Sequence, residues 1–139
     1  MKNRARSSIS AIAALLAVLL SGRVAIAEDY SIDFGADIDR GRDAGTVYCR
    51  FGQLCHAEME SLGLTVTVDM SRRDAVWAHV GLSSRELECC YFAEAGESMT
   101  IDPRQPLSRL PLFKGARARG ELFIETQRVG ILYLRFHFH

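Results

Sequence analysis

Apolar and polar residues alternate along much of this chain, with the period of β-strands. In Leu64-Thr65-Val66-Thr67-Val68-Asp69-Met70 every second side chain is apolar, so a strand here has one buried and one wet face. Val76, Ala78, Val80 and Leu82 alternate with Trp77, His79 and Gly81, and Cys90 and Phe92 with Cys89, Tyr91 and Ala93. Near the end Leu132, Leu134, Phe136 and Phe138 share one face, and Tyr133, Arg135, His137 and His139 the other. Val47–Phe51 and Glu121–Glu125 are further runs rich in branched or aromatic residues, and Tyr30–Phe34 can form a short strand. Between these runs stand turn formers, among them Phe51-Gly52-Gln53, Ser61-Leu62-Gly63, Ser71-Arg72-Arg73-Asp74 and Asp102-Pro103. The spacing predicts an all-β protein, a single small antiparallel β-sandwich or partly open barrel of about 7–9 strands. No stretch after residue 27 carries a helical stripe.

The first 27 residues have a different pattern. Lys2, Arg4 and Arg6 precede an apolar run from Ile9 to Leu20, and Ala25-Ile26-Ala27 closes the segment with small residues. A basic start, a short apolar middle and an A-x-A end are the parts of a secretory signal peptide, too short to remain as a comfortable membrane anchor. The expected organisation is a signal peptide over 1–27, an acidic and loosely ordered arm over 28–45, and a β-sandwich domain over 46–139. The arm is inferred from Glu28, Asp29, Asp33, Asp37, Asp39 and Asp43 standing against only Arg40 and Arg42. Cleavage would leave no further span, and a periplasmic or extracellular protein.

Charge narrows the partners. The leader holds four of the seventeen basic residues and none of the seventeen acids, so residues 28–139 carry a net charge of −4. That balance argues against general nucleic-acid binding, which needs a positive footprint.

Cys49, Cys55, Cys89 and Cys90 form an even set, which in an exported small domain points to disulfides. A bond between the neighbours 89 and 90 closes a tiny ring, and in a regular strand their side chains point to opposite faces. It would leave Cys49 to pair with Cys55, which is feasible across a hairpin turned at Gly52. The two pairings that tie 49 and 55 to 89 and 90 close much longer loops and are favoured on chain entropy. A zinc site is disfavoured, because one cysteine gap is too long and the other absent.

Two other groups bear on binding. Arg104, Arg109, Lys114, Arg117 and Arg119 lie in a stretch that has no acid and includes Pro106 and Pro111. Such a stiffened basic loop suits an anionic partner. His137 and His139 share a strand face, and with His79 they offer an alternative metal site for copper or zinc. No G-x-S-x-G, H-E-x-x-H or phosphate-loop pattern is present, and the Glu58/Glu60 and Glu86/Glu88 pairs sit among polar neighbours. The sequence therefore predicts an exported, disulfide-braced, non-enzymatic β-domain without a cofactor. It would bind a protein or an anionic cell-envelope component through the 103–120 stretch and the acidic arm. The alternative is a periplasmic copper or zinc binding protein.

Overall fold

Tyr30, Ile32, Phe34, Ala36 and Ile38 occupy alternate positions and are all buried, while Asp33, Gly35 and Asp37 between them face outward. This period makes Tyr30–Ile38 strand β1. The computed structural model describes residues 29–86, 89–93, 96–115 and 127–139. Among them are eight more strands: β2 (Gly41–Cys49), β3 (Cys55–Met59), β4 (Leu64–Asp69), β5 (Ala78–Ser84), β6 (Cys89–Tyr91), β7 (Ser98–Ile101), β8 (Ser108–Lys114) and β9 (Gln127–Phe138). They form two antiparallel sheets, ordered β2-β1-β9-β8-β6 and β3-β4-β5-β7. The inward side chains of both sheets make one core, with Ile32, Met59, Leu64, Val66, Val80, Leu112, Leu132 and Leu134 almost wholly excluded from solvent. The all-β expectation holds. The leader, residues 1–27, and the run 121–125 lie outside the described residues.

Two expectations are corrected. The segment 28–45 is not a loose arm over its described part. β1 pairs in register with β2 on one side and β9 on the other, from Tyr30↔Phe138 to Ile38↔Gly130. Its acids dominate the composition but occupy only the outward positions, so they leave the apolar face intact. Nor is 103–120 one loop, because 108–114 is strand β8. Ser108, Leu110 and Leu112 point inward, with Arg109 and Pro111 outward. Pro111 is tolerated because β6 pairs with β8 only at 113 and 114, leaving β8 an open edge beside the proline.

The disulfides join Cys49 to Cys55 and Cys89 to Cys90, so both long-range pairings are overturned. Topology is the reason. β2 and β6 lie at opposite edges of one sheet, four strand spacings or about 19 Å apart, well beyond disulfide reach. A five-residue turn instead brings the Cα atoms of Cys49 and Cys55 within 5.6 Å. Cys89 and Cys90 escape the opposite-face rule because the β6–β8 register is irregular there, and both side chains are buried.

Tyr30 packs deepest among the aromatics. Its ring stacks on Phe51 with centroids 5.1 Å apart and lies 6.4 Å from both Phe136 and Phe138. Its hydroxyl is buried without a protein hydrogen-bond partner. Burial, reinforced by the charges of Asp69 and Asp29, pushes its pKa to about 12. Tyr30→Phe keeps the stack and removes the unpaired hydroxyl, so it is expected to stabilise the fold by about 1 kcal/mol. Thermal unfolding checks this, and a lower Tm would show that the hydroxyl holds a stabilising contact.

Candidate functional site

Strand directions sort the connections into two poles. β3 and β5 both run antiparallel to the β4 between them, so Leu54, just before β3, and Trp77, just before β5, emerge at the same end. β3 and β5 are two strand spacings apart, about 10 Å. The chain after β2 returns here too, as the 50–54 turn. Its Gly52 takes φ +72°, a conformation that disfavours a side chain. Three ties hold this turn: the Cys49–Cys55 disulfide, a 2.9 Å bond donated by the Gly52 amide to the Met70 carbonyl, and a 2.8 Å bond donated by the Phe51 amide to Asp29 Oδ2. The Met70 bond also joins the 50–54 tip to the start of the 71–77 tip.

These tips, with Tyr48 at the end of β2, carry the large apolar side chains that the described part of the fold leaves in water. Tyr48, Leu54, Val76 and Trp77 are 59, 55, 48 and 59 % exposed, and they are the large hydrophobic residues in that state among the described ones. Isolated exposed apolar residues are ordinary on protein surfaces, but grouping at one pole is not. Tyr48, Arg50, Gln53, Leu54 and His56 line a shallow hollow of 420 Å³ beside the disulfide. Arg72 pairs with Asp74 at 3.0 Å, while Arg50 and Arg73 have no ion-pair partner among the described residues.

The residues expected to bind are dispersed. Arg104 donates from Nε to Asp102 Oδ1 at 2.9 Å, and this contact holds the Asp102 carboxyl below the usual range. Arg109 projects from the outer face of β8, Lys114 is half-buried, and Arg117 and Arg119 lie outside the described residues. His79 stands on the outer face of the four-stranded sheet, whereas His137 lies on β9 of the five-stranded one and His139 directly follows it, so the three are not brought together. His137 Nε2 lies 2.8 Å from Asp33 Oδ2, and His139 Nε2 lies 3.1 Å from Ser31 Oγ. The Thr46 hydroxyl, then His137, hold the Asp33 carboxyl below its ordinary value. Among the described residues no three His, Cys, Asp or Glu side chains gather as metal ligands.

A smaller hollow of 240 Å³ lies at the other pole against the Cys89–Cys90 bond, lined by Ser83, Ser84, Glu86, Tyr91 and Glu97. Its polar groups are already engaged, since Glu86 pairs with Arg40 and the Ser84 hydroxyl accepts the Glu86 amide.

Sequence reasoning passed over Trp77 and Val76 because the alternation of β5, extended backwards, absorbs both. The available cues were a sole tryptophan three residues after the polar turn 71–74 and a short cysteine-flanked loop ending in Leu54. The chain matches no known protein family, no characterised protein sequence and no solved structure. Both disulfides are consistent with a periplasmic or extracellular setting, and no helix among the described residues is long and apolar enough to cross a membrane.

Proposed function

We propose that this is an exported, non-enzymatic binding domain that docks on a cell-envelope partner through the paired tips 50–54 and 71–77. The observation that carries the reading is the collection of Tyr48, Leu54, Val76 and Trp77 at one pole, while the other large apolar side chains among the described residues are buried or half-buried. A sandwich that keeps its tryptophan in water gains nothing in folding from it, whereas burying it against a partner removes that apolar area from solvent. The cysteine bond supports the same role, because a tip held rigid before contact loses less entropy on docking. The basic, apolar and A-x-A pattern of residues 1–27 supports export, as do the oxidised cysteines.

The test is sedimentation of the chain, as the cell processes it, with isolated envelope fragments. Leu54→Ser combined with Trp77→Ser is expected to lower binding to the fragments on the order of a hundredfold, with little change in Tm because both side chains are already exposed. Arg109→Ser, on a different face, leaves it intact. Unchanged retention of the double variant would contradict the assignment of the pole.

A further inference from the structure

We infer that the partner met by this pole is an anionic lipid surface, with Leu54, Val76 and Trp77 entering the headgroup boundary and Arg50 and Arg73 set against lipid phosphates. The inference rests on the reading of the pole as a docking surface and names what it docks on.

The chemistry of the tips favours lipid. Tryptophan and tyrosine have apolar bodies with a polar atom at one edge, the combination that settles at a membrane–water boundary. Trp77 and Tyr48 are the most exposed of the large apolar residues among the described ones, and aliphatic Leu54 and Val76 accompany them. Arginine can lay its stem on apolar surface while its guanidinium stays at phosphate level.

Charge points the same way. Segments 50–54 and 71–77 hold Arg50, Arg72 and Arg73 against Asp74 alone, a local charge of +2 in a chain whose residues 28–139 sum to −4. Asp69 stands level with Leu54 and Asp29 with Arg50, where the Asp29 carboxylate accepts the Phe51 amide, so with these two acids counted the pole is neutral while the body carries the negative charge. Arg104 at this pole is neutralised by Asp102. The acidic body thus turns its least acidic end outward beside the apolar tips, with Arg50 and Arg73 outside the ion pairs of the described residues, which suits a negatively charged leaflet.

Size separates lipid from protein. The two tips comprise twelve residues, about half of what one side of a standard protein–protein interface contributes. Insertion into a lipid boundary has no such minimum, since its strength scales with the apolar area inserted plus attraction to anionic headgroups.

Trp77 is the only tryptophan in the chain, so its fluorescence reports directly on the tip. The probes are vesicles of equimolar phosphatidylglycerol and phosphatidylcholine, vesicles of phosphatidylcholine alone, and envelope fragments. With the anionic vesicles the emission is expected to move to shorter wavelength and acrylamide quenching to fall about twofold, with weaker changes on phosphatidylcholine. Leu54→Ser should weaken vesicle binding on the order of tenfold, and Arg50→Gln with Arg73→Gln should do the same while abolishing the preference for the anionic composition. Thermal unfolding of each variant confirms that it is folded. Equal binding to both compositions would overturn the role given to the arginines. No change with either vesicle but a shift on envelope fragments would overturn lipid as the partner and leave the docking pole standing. Silence with all three would overturn both.

Discussion

Gly130→Val is expected to destabilise the protein by about 3 kcal/mol, an overpacking effect at the upper end for a single side chain. A Cβ added at Gly130 would lie 2.0 Å from the Asp37 carbonyl oxygen and 2.7 Å from the Ile38 Cα, both backbone atoms of the neighbouring strand. Neither strand can easily retreat. β9 lies between β1 and β8, and β1 between β9 and β2, so a shift breaks one ladder to relieve the other. The position is also next to a bulge: Leu112 pairs with Gly130 and Phe113 with Arg128, so Val129 is the extra residue, and its side chain is buried. Glycine here allows close approach, where a turn glycine would supply unusual dihedrals. Gly130→Ala should show the same effect with smaller size. Urea unfolding measures both, and a valine variant within about 0.5 kcal/mol of the parent would show that β1 and β9 are not held this closely.

Removing the first disulfide, by Cys49→Ser together with Cys55→Ser, is expected to cost about 2 kcal/mol and lower Tm on the order of 10 °C. The estimate follows from the short loop: the bond spans a sequence separation of 6, so it restricts the unfolded chain less than a long-range bridge would. Its local consequence is larger than its thermodynamic one. Without it the turn keeps the Gly52–Met70 and Phe51–Asp29 bonds but loses its covalent closure at the edge of the sandwich. Docking through Leu54 should therefore weaken while the sheets persist. Calorimetry and envelope sedimentation on the same variant separate the two effects. A large loss of stability with undiminished sedimentation would contradict the role given to this closure.

Much of the fold was legible because its inner faces are written in alternation. β4, β5 and most of β9 follow directly from Leu64-Val66-Val68, Val80-Leu82 and Leu132-Leu134-Phe136. The misreadings share a cause, the weighing of composition over period. Asp33 and Asp37 made β1 look like a solvated arm, although Ile32, Phe34 and Ala36 between them kept the strand pattern. Pro111 and the arginines made β8 look like a loop, although Ser108, Leu110 and Leu112 alternate inward. The cysteine pairing was misranked, although a Cys49–Cys55 bond across a turn at Gly52 is feasible from the sequence. Chain entropy ranks long loops above short ones, but the strand order that puts Cys49 and Cys89 at opposite edges exists only in the folded sheet. The docking pole was hidden for a related reason. Val76 and Trp77 continue the β5 alternation on paper, and only the start of the strand at Ala78 leaves them in water.

The proposed docking end depends on a locally stapled tip, and a non-reducing tryptic map tests that staple directly. Arg50 lies between Cys49 and Cys55, so trypsin places them in separate peptides, 43–50 and 51–72, whereas Cys89 and Cys90 remain together in 86–104. The expected map has 43–50 joined to 51–72, with 86–104 unlinked and lighter than its reduced form by two hydrogens. A species joining 86–104 to either of the others, or four thiols open to alkylation in the folded protein, would contradict the account.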